Sequence, residues 1–140
     1  EIKGDTRSDS PAVQALLEER MRTLSQAICA MHGAQCEFSY THEFAPTVNW
    51  QQCVDVAVNA AVNVVGAERV EGNVAPMMIS EDFGAFLQQV PGCFVFLGNG
   101  DASDPQGNTP LHNACYDFND EILLTGAEYF AEIVRTRLPL

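Results

Sequence analysis

The sequence predicts an α/β fold on three observations. Val13, Leu16, Leu17, Met21, Leu24, Ile28 and Met31 recur at three- and four-residue steps, the mark of a helix with one apolar stripe, against a face of Glu18, Glu19, Arg20 and Arg22. From Cys36 to Phe44 the period changes to two, with Cys36, Phe38, Tyr40, His42 and Phe44 on one side and Glu37, Ser39, Thr41 and Glu43 on the other; this predicts a half-buried strand. Cys93 to Leu97, CFVFL, is a continuous apolar run of strand length, the kind found in the covered middle of a sheet.

Composition bounds what such a fold can do. A chain of 140 residues with 46% hydrophobic content buries one ordinary core or two smaller ones. Seven basic against 19 acidic side chains leave a formal charge of -12, which repels phosphate backbones and anionic lipid heads, so neither nucleic acid nor a membrane surface is expected as a partner. No apolar run approaches the length needed to span a bilayer. The five cysteines, Cys29, Cys36, Cys53, Cys93 and Cys115, are odd in number, scattered and without a CxxC pair. They read as small apolar residues in a reducing, cytoplasmic compartment, not as a disulfide framework or zinc knuckle. The chain opens Glu1-Ile2-Lys3-Gly4-Asp5-Thr6-Arg7, without Met, in what reads as the end of a strand, so a longer parent protein is expected.

In chain order, Ser10-Pro11 starts the first helix: the serine hydroxyl accepts from an early amide, and proline sits where no amide partner is needed. Gly33 ends that helix as a left-handed cap. After the 36–44 strand, Ala45-Pro46-Thr47 breaks the alternation and marks a boundary. Beyond it Cys53, Val54, Ala57, Val58, Ala61, Val62 and Val65 form a helical stripe, although valine alone favours a strand, because the run is too long for one. A short strand is expected near 68–71. Ser80 or Glu81 then caps a helix carrying Phe83, Phe86, Leu87 and Val90, which Pro91-Gly92 ends. Gly98 to Gly107 reads as a flexible loop after the CFVFL strand. Asn119 caps a last helix with Asp120 and Glu121 in its first turn and Arg135 and Arg137 in its last, each charge suited to the helix dipole, and with Ile122, Gly126, Phe130, Ile133 and Val134 as its buried side.

Chemistry is expected in Asn108–Asp120, NTPLHNACYDFND, where a proline, an imidazole and two carboxylates lie between the glycine-rich loop and the last helix. His112 belongs to no apolar stripe, and Pro110 and Leu111 suggest an extended, restricted backbone that presents it from a loop, as a metal ligand or proton carrier is held. The bland alternative is a hydrogen-bonding loop histidine. His42, on the aromatic face of its strand, and His32, at a helix end, read as structural. Glu81 and Asp82 are by default charges at a helix start, and Asp5 and Arg7 an ordinary exposed strand pair.

The order GDTRS, helix, strand, APTVN, helix, VVGAERV, then MISEDFGAFLQQVPGCFVFLGNG and PLHNACYDFNDEILLTGAEYF resembles the C-terminal part of the metal-dependent amidohydrolases that include hippurate hydrolase and N-acyl-amino-acid amidohydrolases, in the aminoacylase and carboxypeptidase-G clan. The resemblance spans nearly the whole chain; its most specific pieces are SEDF with VPG, and LHN with YDF. It implies a partial catalytic α/β domain with a central sheet, residues 47–140, and part of an inserted α/β dimerisation or lid domain, residues 1–46. It implies a hydrolase of N-acyl amino acids or small peptides, working as a homodimer with two divalent ions per intact subunit, of zinc, manganese, cobalt or nickel. In such an enzyme a metal-bound water attacks the amide carbonyl while a glutamate shuttles the proton.

By that resemblance His112 is a metal ligand, Arg7 holds the substrate carboxylate, and Glu81 and Asp82 support the site from behind. The family's Cys-x-His pair, adjacent glutamates and other metal histidine have no counterpart here, so no catalytic residue is expected in this segment and the isolated chain is expected to be inactive. Two other readings stand beside it: a non-catalytic module for dimerisation or partner binding, and a plain acidic globular domain.

Overall fold

Ser10 and Pro11 start the first helix as their chemistry requires. In the computed structural model, which describes residues 1–100 and 109–138, α1 runs Pro11–Met31 and the Ser10 hydroxyl accepts from the Val13 amide at 3.3 Å. At its other end Gly33 takes φ 66, and the chain reverses through paired bonds, Gly33 N–H to the Ala30 carbonyl at 3.1 Å and Ala34 N–H to that of Cys29 at 2.9 Å. A left-handed residue at this position is what glycine supplies without a Cβ penalty. The remaining elements are α2 (Gln51–Val65), a 3-10 turn (Ala67–Arg69), the short α3 (Gly84–Leu87) and α4 (Ile122–Arg137). Among the described residues no helix is long and apolar enough to cross a membrane.

The predicted fold class is corrected here. The described residues are helical and contain no strand, so neither the central sheet nor an α/β inserted domain is present among them. Residues 1–7, read as the end of a strand, lie in none, and the other three segments expected as strands behave differently. Residues 36–44 and 93–97 carry strand-like side-chain patterns but join no ladder, and residues 67–69 form the 3-10 turn where a strand was expected. Alternation selects which side chains lie together; a strand also needs a neighbouring backbone to accept and donate its hydrogen bonds.

The chain divides into two compact units. The first comprises Glu1–Asn49 with Ala75–Gly92. Here the 36–44 segment turns back along α1 with the predicted alternation through residue 41, Cys36, Phe38 and Tyr40 half-buried and Glu37, Ser39 and Thr41 exposed, whereas His42 and Phe44, expected on the covered side, are exposed. Its contacts are polar as well as apolar. His42 Nε2 meets Glu18 Oε2 at 2.8 Å, Arg22 pairs with the other Glu18 oxygen, and the Arg22 guanidinium lies 4.7 Å from the centre of the Phe38 ring. Tyr40 is hydrogen-bonded to Thr6.

The expected apolar stripe of α1 is therefore not the covered one. Gln14, Leu17, Glu18, Arg22, Ser25 and Cys29 are half-buried, whereas Leu24 and Ile28 are 60% and 57% exposed. The charged pair turns its own face toward the 36–44 segment because that segment offers partners for it.

In the same unit α3 starts with Phe83 at its cap and without a side-chain cap, so Ser80 does not fill that role, and the Glu81 carboxylate accepts from the Asp82 amide instead at 2.9 Å. Gly84 is buried, and a Cβ there would stand 2.5 Å from the Ala45 carbonyl oxygen and 3.0 Å from that of Pro46.

The second unit comprises Trp50–Val74 with Cys93–Leu140. Here α2 packs on α4; Ala57 and Ala60 are its buried residues, and Asn63 Nδ2 donates to Glu132 Oε1 across the pair at 2.9 Å. Alanines at such positions let two helix backbones approach closely. On α4 the half-buried side is Ile122, Thr125, Gly126, Tyr129, Glu132 and Ile133, while Phe130 and Val134, expected inside, are 68% and 55% exposed. Leu123, Phe130 and Val134 make a second apolar stripe on the same helix, and the sequence offers no ground for choosing between the two. Burial pushes the Cys93 thiol up, with Cys53 adding to it, and burial likewise raises the Tyr129 phenol, with Cys93 adding.

Two measurements check this packing. Gly84→Ala must displace backbone, not a flexible side-chain end, so it is expected to cost about 1–3 kcal/mol in denaturant unfolding; an unchanged midpoint would refute the close approach. The second concerns Glu18, whose carboxyl is held below its ordinary value of 4.5 by the hydrogen bond with His42 and then by that from Arg22, against a smaller opposing effect of burial. A lowered folded value means the stabilisation is fully present above 4.5 and is lost as pH falls below it. Glu18→Gln is therefore expected to destabilise at neutral pH, with the gap to the unsubstituted chain closing in acid; a pH-independent gap would rule out the ionised carboxylate as its source.

Candidate functional site

The turn that presents His112 is built by two asparagines. Asn113 Oδ1 accepts from the Cys115 amide at 2.8 Å, and the Asn113 carbonyl accepts from the Tyr116 amide at 3.0 Å, so the residue after the histidine closes the turn that follows it. Asn99, at the end of the apolar 93–97 segment, then ties down the run before α4: its Nδ2 donates to the Asp117 carbonyl at 2.8 Å and its Oδ1 accepts from the Asn119 amide at 2.8 Å. Asn119 in turn accepts from the Glu121 amide through its own side chain at 3.0 Å, one turn ahead of the first helical residue. The expected cap is corrected: α4 has Glu121 at its cap position without a side-chain cap, so Asn119 braces the turn before the helix, and Asp120 and Glu121 stand ahead of its first turn.

His112 is exposed and lies in the left-handed region, φ 64, the sole non-glycine residue described there. Extended backbone was expected, and the correction has a simple cause. Proline restricts the residue before it, Thr109, and its ring places no such limit on a residue two positions later. Left-handed backbone costs a residue with a Cβ roughly 1–2 kcal/mol, and histidine, with asparagine and aspartate, tolerates it better than most. A turn strained at the one imidazole of the stretch is the structural feature that most sets His112 apart.

The other expected site residues lie in the first unit. Arg7 is exposed, with its guanidinium 3.5 Å from the Asp5 carboxylate, the surface pair read from the sequence. Asp82 is exposed and Glu81 half-buried, its carboxylate engaged by the Asp82 amide. His42 is paired with Glu18, and the His32 amide donates to the last carbonyls of α1. The glycine-rich loop falls mostly on 101–108, and with Asn108 it lies outside the described residues. Among the described residues no group of three or more His, Cys, Asp or Glu side chains is placed to hold a metal ion. The described residues do not by themselves fit a metal centre.

The sequence pattern described as Peptidase family M20/M25/M40 matches residues 4–136. The chain belongs to that family. It is 29% identical over 132 residues to hippurate hydrolase of Campylobacter jejuni, covering 94% of this chain and 33% of that protein. It is 27% identical over 133 residues to N-acetylcysteine deacetylase of Bacillus subtilis, covering 95% and 33%. Thermostable carboxypeptidase 2 of Saccharolobus solfataricus is 29% identical over 129 residues, covering 91% of this chain and 31% of the relative. The chain thus spans about a third of the length of these curated relatives. No solved structure matches it significantly.

Asn99 was not singled out in the sequence. Its signal is there in hindsight: an asparagine between Gly98 and Gly100, directly after an apolar run, is a side-chain amide free to bridge backbone where the glycines leave room. Asn99→Ala removes a donor and an acceptor together and is expected to cost roughly 1–3 kcal/mol from two lost hydrogen bonds. It should also speed hydrogen exchange at the Asn119 amide; unchanged protection there would show that the bridge does not hold the segment.

Proposed function

We propose that this chain is part of a metal-dependent amidohydrolase or peptidase that cleaves the amide bond of N-acyl amino acids or small peptides, with His112 as one ligand of its metal centre. The observation that carries the reading is the His112 turn: an exposed imidazole on left-handed backbone, fastened on its C-terminal side by Asn113 and Asn99. Strain of this kind persists where the surroundings hold it, and it is concentrated at functional sites. The family match and the names of the three relatives, a hippurate hydrolase, an N-acetylcysteine deacetylase and a carboxypeptidase, support the same chemistry of amide or peptide hydrolysis.

In this reading residues 47–140 are the C-terminal part of the catalytic domain and residues 1–46 part of an inserted domain. Arg7 binds the substrate carboxylate, since a guanidinium fork pairs both oxygens at once and its present partner, Asp5, is an exposed ion pair that a ligand displaces cheaply. Glu81 and Asp82 support the site without touching metal. The divalent ions, two per subunit, take their other ligands and the catalytic base from outside these residues, so the 140-residue chain alone is inactive.

A second reading, an interface for dimerisation or another partner, has one observation in its favour. α1 leaves Val13, Leu16, Leu24, Ile28 and Met31 exposed along one side, and apolar stripes of this kind mark contact surfaces. The two readings are compatible in a homodimeric enzyme of the cytoplasm.

The test is His112→Ala in the longer protein that contains this chain, read by metal content and amide hydrolysis. Loss of a direct ligand should exceed the roughly 10–100-fold penalty typical of the groups that merely orient ligands, with metal and activity falling together and the thermal midpoint little changed. Normal turnover with full metal stoichiometry would return His112 to a structural role.

A further inference from the structure

α1 and the 36–44 segment are two arms of one reversal, and each carries a cysteine near its tip. Cys29 is the last half-buried residue of the α1 face that also holds Gln14, Glu18, Arg22 and Ser25. Cys36 is the first half-buried residue of the alternating face that also holds Phe38 and Tyr40. Those two faces lie against each other: Gln14 Nε2 donates to the Phe44 carbonyl at 3.5 Å, Glu18 meets His42 at 2.8 Å, and Arg22 lies over Phe38 at 4.7 Å. Followed toward the turn, past Ser25 on α1, the two facing surfaces end in Cys29 and Cys36. The Gly33 reversal, with Ala34 N–H on the Cys29 carbonyl at 2.9 Å, fixes the short connection between them.

We infer that Cys29 and Cys36 are a redox-responsive dithiol that closes into a disulfide by exchange with a low-molecular-weight disulfide of the glutathione class, stapling the end of α1 to the 36–44 segment. Both thiols are free in the structure and stand at the turn ends of the two facing surfaces, so closure joins groups that the reversal already brings together. Burial, and then Cys29, push the Cys36 thiol above its ordinary 9.0, which makes Cys36 the poorer first nucleophile. The Cys29 thiolate attacks one sulfur of the small disulfide and expels one thiolate, leaving a mixed disulfide on Cys29. The Cys36 thiolate then attacks the Cys29 sulfur and expels the second. The protein loses two protons and two electrons; the small disulfide gains both and leaves as two thiols. Nothing in the sequence suggested this, because the two cysteines stand seven positions apart without a CxxC pattern, and the juxtaposition comes from the reversal.

The experiment equilibrates the 140-residue chain with oxidised and reduced glutathione at graded ratios, blocks remaining thiols by alkylation, digests, and maps cross-links by mass spectrometry. The expected result is a Cys29–Cys36 cross-link with the loss of two protein thiols, a thermal midpoint raised on closure and restored by a dithiol reductant, and no such reversible shift in Cys36→Ser. Mixed disulfides with glutathione at Cys29 and Cys36 without an internal bond would overturn the inference. So would preferential linkage of Cys53 to Cys93, the other neighbouring pair of half-buried thiols.

Discussion

Backbone hydrogen bonding is the constraint on which this structure depends. A helix satisfies its own interior amides and carbonyls, whereas an extended segment must find partners in another chain segment, in side chains or in water. With no ladder among the described residues, the extended segments are placed by side chains. Residues 36–44 lie along α1 through Glu18, Arg22, Phe38 and His42, and the run leading into α4 is tied to Asn99. Asn99 bonds backbone as a neighbouring strand would in a sheet, whereas the 36–44 segment is held mainly through its side chains, with Gln14 donating to the Phe44 carbonyl.

That substitution shapes where apolar surface goes. A sheet would collect the alternating faces of its strands and the stripes of its helices into one interior. Among the described residues the buried hydrophobic ones are Ala57, Ala60 and Leu87, and long side chains such as Leu24, Ile28, Phe130 and Val134 remain largely open. The polar pair Glu18 and Arg22 draws α1 toward the 36–44 segment and leaves the more apolar stripe outward. The small residues of α2 settle against α4, where only small side chains permit close approach. Apolar stripes left uncovered on two different helices accord with a chain that spans about a third of its relatives' length.

The His112 turn shows the same economy of means. Its backbone strain is confined to one residue, and the turn and the run beyond it are fastened by two asparagines that each make a double contact: Asn113 through its side-chain oxygen and its backbone carbonyl, Asn99 through both ends of its side-chain amide. Held this way, the backbone on the C-terminal side of the exposed His112 follows a fixed course.

The sequence by itself determined the features that depend on near neighbours. Ser10-Pro11 and Gly33 set both ends of α1, the long Val and Ala run became α2 despite its β-branched residues, and the alternation of 36–44 put Cys36, Phe38 and Tyr40 on one side. His112 stood out because it fitted no stripe, and the motifs around it were specific enough to indicate the family. What only the tertiary structure decided was every choice between equivalent partners: whether alternating segments pair into a sheet, which of two apolar stripes on α4 is covered, and which face α1 turns inward. Those choices rest on contacts between residues far apart in the chain, such as His42 with Glu18 and Asn99 with Asn119. Periodicity records that a residue will be covered on one side; it carries no information about what will cover it.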